Sequence, residues 1–133
     1  MSEIEYRINA EIETAAIVSL YENCGLPRPT SNPERIGEMF KNSNFVVSAW
    51  CDGELVGVSR CITDFVWSCY LADLAVRSDF QQKGVGRELF EQTRRNLGEN
   101  VMILLLSVPS AMEYYPKLGM QVVESGFILP RLN

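Results

Sequence analysis

The stretch Gln81-Gln82-Lys83-Gly84-Val85-Gly86-Arg87 constrains the fold of this chain more than any other. It lies between an apolar run, Leu71-Ala72-Asp73-Leu74-Ala75-Val76, and an amphipathic segment that begins near Val85. The run reads as a strand and the segment as a helix, so two glycines, two apart, sit at a strand-to-helix junction. Glycine lets backbone approach an anion with no Cβ in the way. The first amides of a helix lack intrahelical partners and form the positive end of its dipole, so the junction suits a pyrophosphate. Lys83 and Arg87 add charge at the same place. As a bare string, the heptapeptide fits a plain turn with solvated cations equally well. Two phosphate motifs are excluded: no G-x-x-x-x-G-K-[ST] string occurs, and the third glycine of a dinucleotide fingerprint would fall on Leu89.

The rest of the pattern builds a sheet layered with helices. Residues 5–8 read as a short strand, and Asn9 is placed to cap a helix carrying Ile12, Ala16, Leu20 and Cys24, stopped by Gly25 and Pro27. After a loop over residues 28–32, Ser31-x-x-Glu34 reads as a capping box, with Pro33 in the first turn and Ile36, Met39 and Phe40 facing inward. Residues 45–50 and 55–62 flank Asp52-Gly53, a strong hairpin signal, so they are expected to be antiparallel neighbours. Residues 70–76 follow as a strand. The next helix places Val85, Leu89, Thr93 and Leu97 on one side, pairs Glu91 with Arg95, and ends at Gly98. Residues 101–106 contain no polar position and predict a central strand covered on both faces. Pro109-Ser110 opens a short helix to Leu118, Gly119 stops it, and residues 120–123 and 127–129 predict closing strands. The order gives an α+β fold with helices on both faces of a sheet. No repeat or linker interrupts it, so residues 1–133 read as one domain.

Two motifs then point to a family. Gln81-x-x-Gly84-x-Gly86 resembles the Q/R-x-x-G-x-G/A signature of the GNAT N-acetyltransferases, which bind acetyl-CoA. Downstream, Ala111-x-x-Tyr114-Tyr115-Pro116-Lys117-Leu118-Gly119-Met120 resembles the family's A-x-x-F-Y-x-K-L-G-F segment. The order and spacing also agree, and the similarity runs from about Gly53 to Met120. The resemblance implies a GNAT fold with a mixed, mostly antiparallel sheet, acetyl-CoA as co-substrate, and direct acetyl transfer to a primary amine of a small molecule or peptide. It implies that the backbone of Leu74, Ala75 and Val76 receives the pantetheine arm and acetyl carbonyl. It assigns the pyrophosphate to Gln81, Gln82, Lys83, Gly84, Val85, Gly86 and Arg87.

The resemblance also makes Tyr115 the acid that protonates the departing thiolate, a role that suits a phenol neutral at pH 7. Packing between helix and sheet is the competing reading for Tyr115. For a general base, Asp73 and Asp64 are the candidates, each with a structural hydrogen-bonding role as its alternative. Val108 stands where many family members carry an asparagine, which leaves Ser107 or Ser110 to bond the pantetheine arm, and Met120 replaces a phenylalanine. The rival to an enzyme is a non-catalytic acyl-CoA-binding module of the same fold.

Charge and composition narrow the partners. A net charge of −5 argues against generic nucleic-acid binding. The longest apolar run, residues 101–106, is too short to span a bilayer, and no signal-peptide pattern precedes the first strand, so a cytoplasmic protein without a membrane partner is expected. Cys24, Cys51, Cys61 and Cys69 are scattered, and the chain has no histidine. No metal site is therefore expected, and Ser-His-Asp chemistry is excluded. A homodimer, the acceptor's identity and the acyl length stay open.

Overall fold

A computed structural model describes residues 3–133. Strand β1 (Ile4–Ile8) leads to helices α1 (Thr14–Cys24) and α2 (Pro33–Lys41). Strands β2 (Phe45–Cys51), β3 (Glu54–Thr63) and β4 (Ser68–Val76), helix α3 (Val85–Leu97) and strand β5 (Met102–Leu104) follow. The five strands form one sheet in chain order, antiparallel except for the parallel pair β4 and β5. The expected fold class is the observed one.

Alternation along the strands divides the core into two layers. On one face, Ile17, Leu20 and Tyr21 of α1 and Ile36 of α2 pack on Val46, Leu55, Val58 and Ala75. On the other, Val85, Leu89, Phe90 and Leu97 of α3 pack on Val47, Val56, Cys61 and Leu71. The second contact needs a glycine. A Cβ on Gly57 would lie 2.9 Å from Leu89 Cδ1 and 3.1 Å from the Ala75 carbonyl oxygen, so α3 sits on bare β3 backbone. Gly57→Val is expected to cost about 1–3 kcal/mol by overpacking. A lower denaturant midpoint with an unchanged m-value would show it.

Several local expectations need correction. Asn9 caps no helix: its side chain accepts from the Val46 N–H at 2.8 Å and its own N–H donates to Val46 O, closing the β1–β2 ladder. The α2 cap is Asn32, one residue beyond Ser31, accepting from the Arg35 N–H at 3.2 Å. Glu91 pairs with Arg94 at 2.9 Å, and Arg95 reaches Glu88 instead.

The C-terminal third departs furthest. Residues 101–106 do not make a central strand: β5 has three residues, lies at the sheet edge, and exposes Met102 and Leu104. An unbroken apolar run signals burial, but only an outer neighbour makes a strand central. The helix expected to Leu118 is replaced by two 3-10 turns, Pro109–Ala111 and Tyr115–Leu118. Pro116 has no N–H for an α-helical bond and restrains the residue before it. Residues 120–123 and 127–129 belong to no strand, and among the described residues none beyond Met120 makes a backbone–backbone hydrogen bond.

Candidate active site

The site begins where the sheet opens. Strands β4 and β5 pair only at Ser68–Met102, Cys69–Ile103 and Tyr70–Leu104. Past Tyr70 the β4 strand continues to Val76 while β5 has ended, so Leu74, Ala75 and Val76 carry no ladder on the β5 side. The register against β3 also shifts here: Arg60 faces Asp73 and Cys61 faces Leu71, which leaves Ala72 as an extra, bulged residue.

A 3-10 turn, Ser78–Phe80, carries the chain from β4 to the glycine turn. Gln82 and Gly84 both take left-handed backbone, with φ of 62° and 86°, and Gly84 directly precedes α3. Among the described residues, the N–H groups of Gln82, Lys83, Gly84, Val85, Gly86 and Arg87 meet no protein acceptor. The Glu88 N–H is the first to be bonded, to Gly84 O at 3.0 Å. Six successive free amides at a helix N-terminus, with Lys83 and Arg87 exposed beside them, form an anion cradle. Gln81 has a different place: its side-chain amide donates to Val76 O at 2.9 Å and closes the turn. Arg87 also donates to Lys117 O at 3.2 Å, tying α3 to the turn that holds the tyrosines.

Both tyrosines reach this region. A Cβ on Gly86 would lie 2.8 Å from the Tyr114 hydroxyl, so that phenol rests on the first turn of α3. In the sequence, only the absence of a side chain at Gly86 hints at this proximity. Tyr115 meets Tyr114 edge to face, with centroids 5.3 Å apart. It lines a cavity of about 510 Å³ together with Tyr70, Ile103, Ser107, Met112 and Phe127. Burial pushes the Tyr115 phenol above its ordinary pKa, Tyr114 adds to the rise, and the charge of Arg28 opposes it. The hydroxyl therefore stays protonated at neutral pH. Of the residues that might stand in at the Val108 position, Ser107 lines the cavity but donates to Val108 O at 2.8 Å, while Ser110 is exposed.

The two carboxylates lie elsewhere. Asp73 is a fully buried residue of β4, where Tyr21 donates to Oδ2 at 2.7 Å, Arg60 Nε to Oδ2 at 2.6 Å, and Arg28 Nε to Oδ1 at 2.6 Å. Burial alone would raise its pKa. The Arg60 hydrogen bond and charge, the Tyr21 hydroxyl and the Arg28 charge outweigh that and hold the carboxyl below its usual range. A carboxylate so stabilised is a poor proton acceptor. Arg28 also donates to the carbonyl of the bulged Ala72 at 2.9 Å, which fixes the loop between α1 and α2 against β4. No spacing in the sequence flags Arg28. Asp64 sits at the tip of the β3–β4 hairpin, where one oxygen accepts the N–H groups of Val66, Trp67 and Ser68. Ser68 lies five residues before Asp73 on β4, roughly 16 Å at strand rise, so Asp64 is remote from the bulge. Among the described residues, no cluster of three or more His, Cys, Asp or Glu side chains could hold a metal ion, and no helix is long and apolar enough to cross a membrane.

The profile of the acetyltransferase (GNAT) domain matches residues 14–128. The chain belongs to the GNAT acetyltransferase family. Among solved structures, a GNAT-family acetyltransferase from Streptococcus pneumoniae TIGR4 superposes with a TM-score of 0.81 at 19% identity, covering 98% of this chain and 100% of that one. The aminoglycoside N-acetyltransferase AAC(6')-Iy, solved in complex with CoA, gives 0.75 at 15% identity, covering 100% and 97%. These two likenesses establish the fold. An uncharacterized N-acetyltransferase, ycf52, from Pyropia yezoensis is 29% identical over 85 residues, 59% of this chain and 49% of that protein. The GNAT chain described here thus spans about half the length of that curated relative.

Proposed function

We propose that this GNAT domain transfers the acetyl group of acetyl-CoA directly to a primary amine of a small molecule or peptide, in the cytoplasm, where its four free thiols would persist. The observation that carries the reading is the run of six unbonded amides from Gln82 to Arg87 at the end of a strand whose β5-side edge is open. Those amides would hold the pyrophosphate, with Lys83 and Arg87 adding charge. The open edge of residues 74–76 would take the pantetheine arm by backbone hydrogen bonds and carry the thioester toward the bulge. The CoA complex of AAC(6')-Iy supports the same donor. Its structure with a CoA-linked acetylneamine analogue supports an amine acceptor.

The chemistry needs one bond made and one broken. The free amine nitrogen attacks the thioester carbonyl carbon, the C–S bond breaks as the tetrahedral intermediate collapses, and the CoA sulfur leaves with its electron pair. Tyr115, which stays protonated at neutral pH, would give that sulfur its proton. The nitrogen's proton would pass to water, because Asp73 and Asp64 are both engaged by hydrogen bonds within the fold. No activated nucleophile lies in the cavity, so a ternary complex fits better than a covalent acetyl-enzyme.

Acetyl-CoA is expected to raise the melting temperature by mass action, and Gly84→Asp, which sets a carboxylate among the amides in a left-handed position, should abolish the rise. A wild-type melting curve unmoved by saturating acetyl-CoA would sink the reading. A rise without CoA release for any amine or peptide would reduce the chain to an acyl-CoA-binding module.

A further inference from the structure

The open edge of β4 is tied at both of its ends to α1 and the loop that follows it. At the far end, the Asn23 side-chain oxygen on α1 accepts the Ser78 N–H at 2.8 Å. At the near end, Arg28 reaches the bulge from the loop beyond α1. The bulge is where the strand changes faces. Residues 71 and 75 would share a face in a regular strand, yet Leu71 packs in the α3 layer and Ala75 in the α1 layer. The extra residue of a bulge is left unpaired, so the ladder with β3 does not fix the Ala72 carbonyl. Arg28 fixes it. The guanidinium donates from Nε to Asp73 Oδ1 at 2.6 Å, from Nη2 to Ala72 O at 2.9 Å, and from Nη1 to Pro27 O at 2.9 Å. Arg60, directly opposite on β3 and the more buried of the two arginines, already matches the single negative charge of Asp73. Charge pairing therefore leaves the bond to Ala72 unexplained.

We propose that Arg28 is a positioning residue: by bonding Ala72 O it locks the bulged peptide and, with Asn23 at the far end, aims the backbone of residues 74–76 along the open edge. What that edge receives, the thioester end of acetyl-CoA, rests on the proposed function; the brace itself does not. An arginine suits the task because its planar fork spans two acceptors at once. A lysine ammonium is a point charge on a flexible stem and would keep the charge beside Asp73 without the span. Misplacing reacting groups by about 1 Å can cost on the order of 10²-fold in rate, so a guanidinium can serve the reaction without touching the reacting atoms.

The test is the infrared carbonyl band of acetyl-CoA isotope-labelled at its thioester carbon, bound to wild type, Arg28→Lys and Arg28→Ala. Amide exchange at residues 73–76 is read alongside it in the unliganded proteins. The wild type should give a narrow band displaced from that of free acetyl-CoA, as for a carbonyl held in one orientation. In both variants the band should broaden and return toward the free position, and exchange at 73–76 should quicken. The acetyl-CoA thermal shift should survive, because the amides from Gln82 to Arg87 are untouched. A wild-type band in Arg28→Lys would overturn the proposal, since charge beside Asp73 would then suffice. So would a band lost only where the melting temperature of the unliganded protein has also collapsed, which would leave Arg28 a structural residue. A wild type with no acetyl-CoA thermal shift is a different failure and sinks the cofactor reading. Exchange then decides the brace: faster exchange at 73–76 in Arg28→Lys upholds it, and unchanged exchange overturns it.

Discussion

Tyr115→Phe is expected to lower kcat by roughly 10²–10⁴ while leaving the acetyl-CoA thermal shift near that of wild type. The substitution keeps the ring, and with it the edge contact to Tyr114 and the wall of the cavity. It removes only the hydroxyl, and with it the proton. If the thiolate must then take its proton from water, collapse of the intermediate slows, and kcat and kcat/KM fall together. The pH profile carries the same signature. Because burial and Tyr114 raise the phenol's pKa, the wild-type rate should hold until pH passes the ordinary tyrosine range and then decline, and the mutant should lack that alkaline limb. Full activity in Tyr115→Phe would leave the residue as packing alone.

The second large effect is on stability. Asp73→Asn is expected to destabilise the fold by about 3–5 kcal/mol, because removing one member of a buried ion pair strands the others, here Arg60 and, at the rim, Arg28. The sign of the pH dependence follows from the two shifted groups. The folded Asp73 binds its proton less readily than the unfolded one, so its contribution is present above the unfolded pKa near ~3.9 and is lost as pH falls below it. Tyr21 is shifted the other way, by burial and then by the charge of Asp73. Its contribution is complete below the unfolded value near ~10 and is lost as pH rises through the folded one. Urea midpoints from pH 3 to 11 should therefore trace a plateau with two falling limbs, and the acid limb should flatten in Asp73→Asn. An unchanged midpoint at pH 7 would show that the buried charges contribute nothing net.

Local chemistry made part of this legible in advance. Asp52-Gly53 turns β2 into β3, with both residues at positive φ, and Gly25, Gly84 and Gly98 bound α1 and α3 where their backbone freedom is needed. The free-amide turn follows from the same residues. What stayed hidden depends on separation. Arg60 and Asp73 are charges within apolar strands and announce that partners are needed, but Tyr21 and Arg28 lie 52 and 45 residues from Asp73, and no periodicity links them. Residues 101–106 and 120–129 misled for a related reason. Their composition records a preference for leaving water, and the preference alone does not say which surface will satisfy it.

Arg28 holds the loop between α1 and α2 to Asp73 and to the Ala72 carbonyl, and its charge is felt by Tyr115. The sequence of that loop is thereby given one fixed point about which it can vary. A lineage that loses the arginine would disturb the buried charge balance of β4. Drift of a surface loop and selection for a folded interior meet at this one guanidinium.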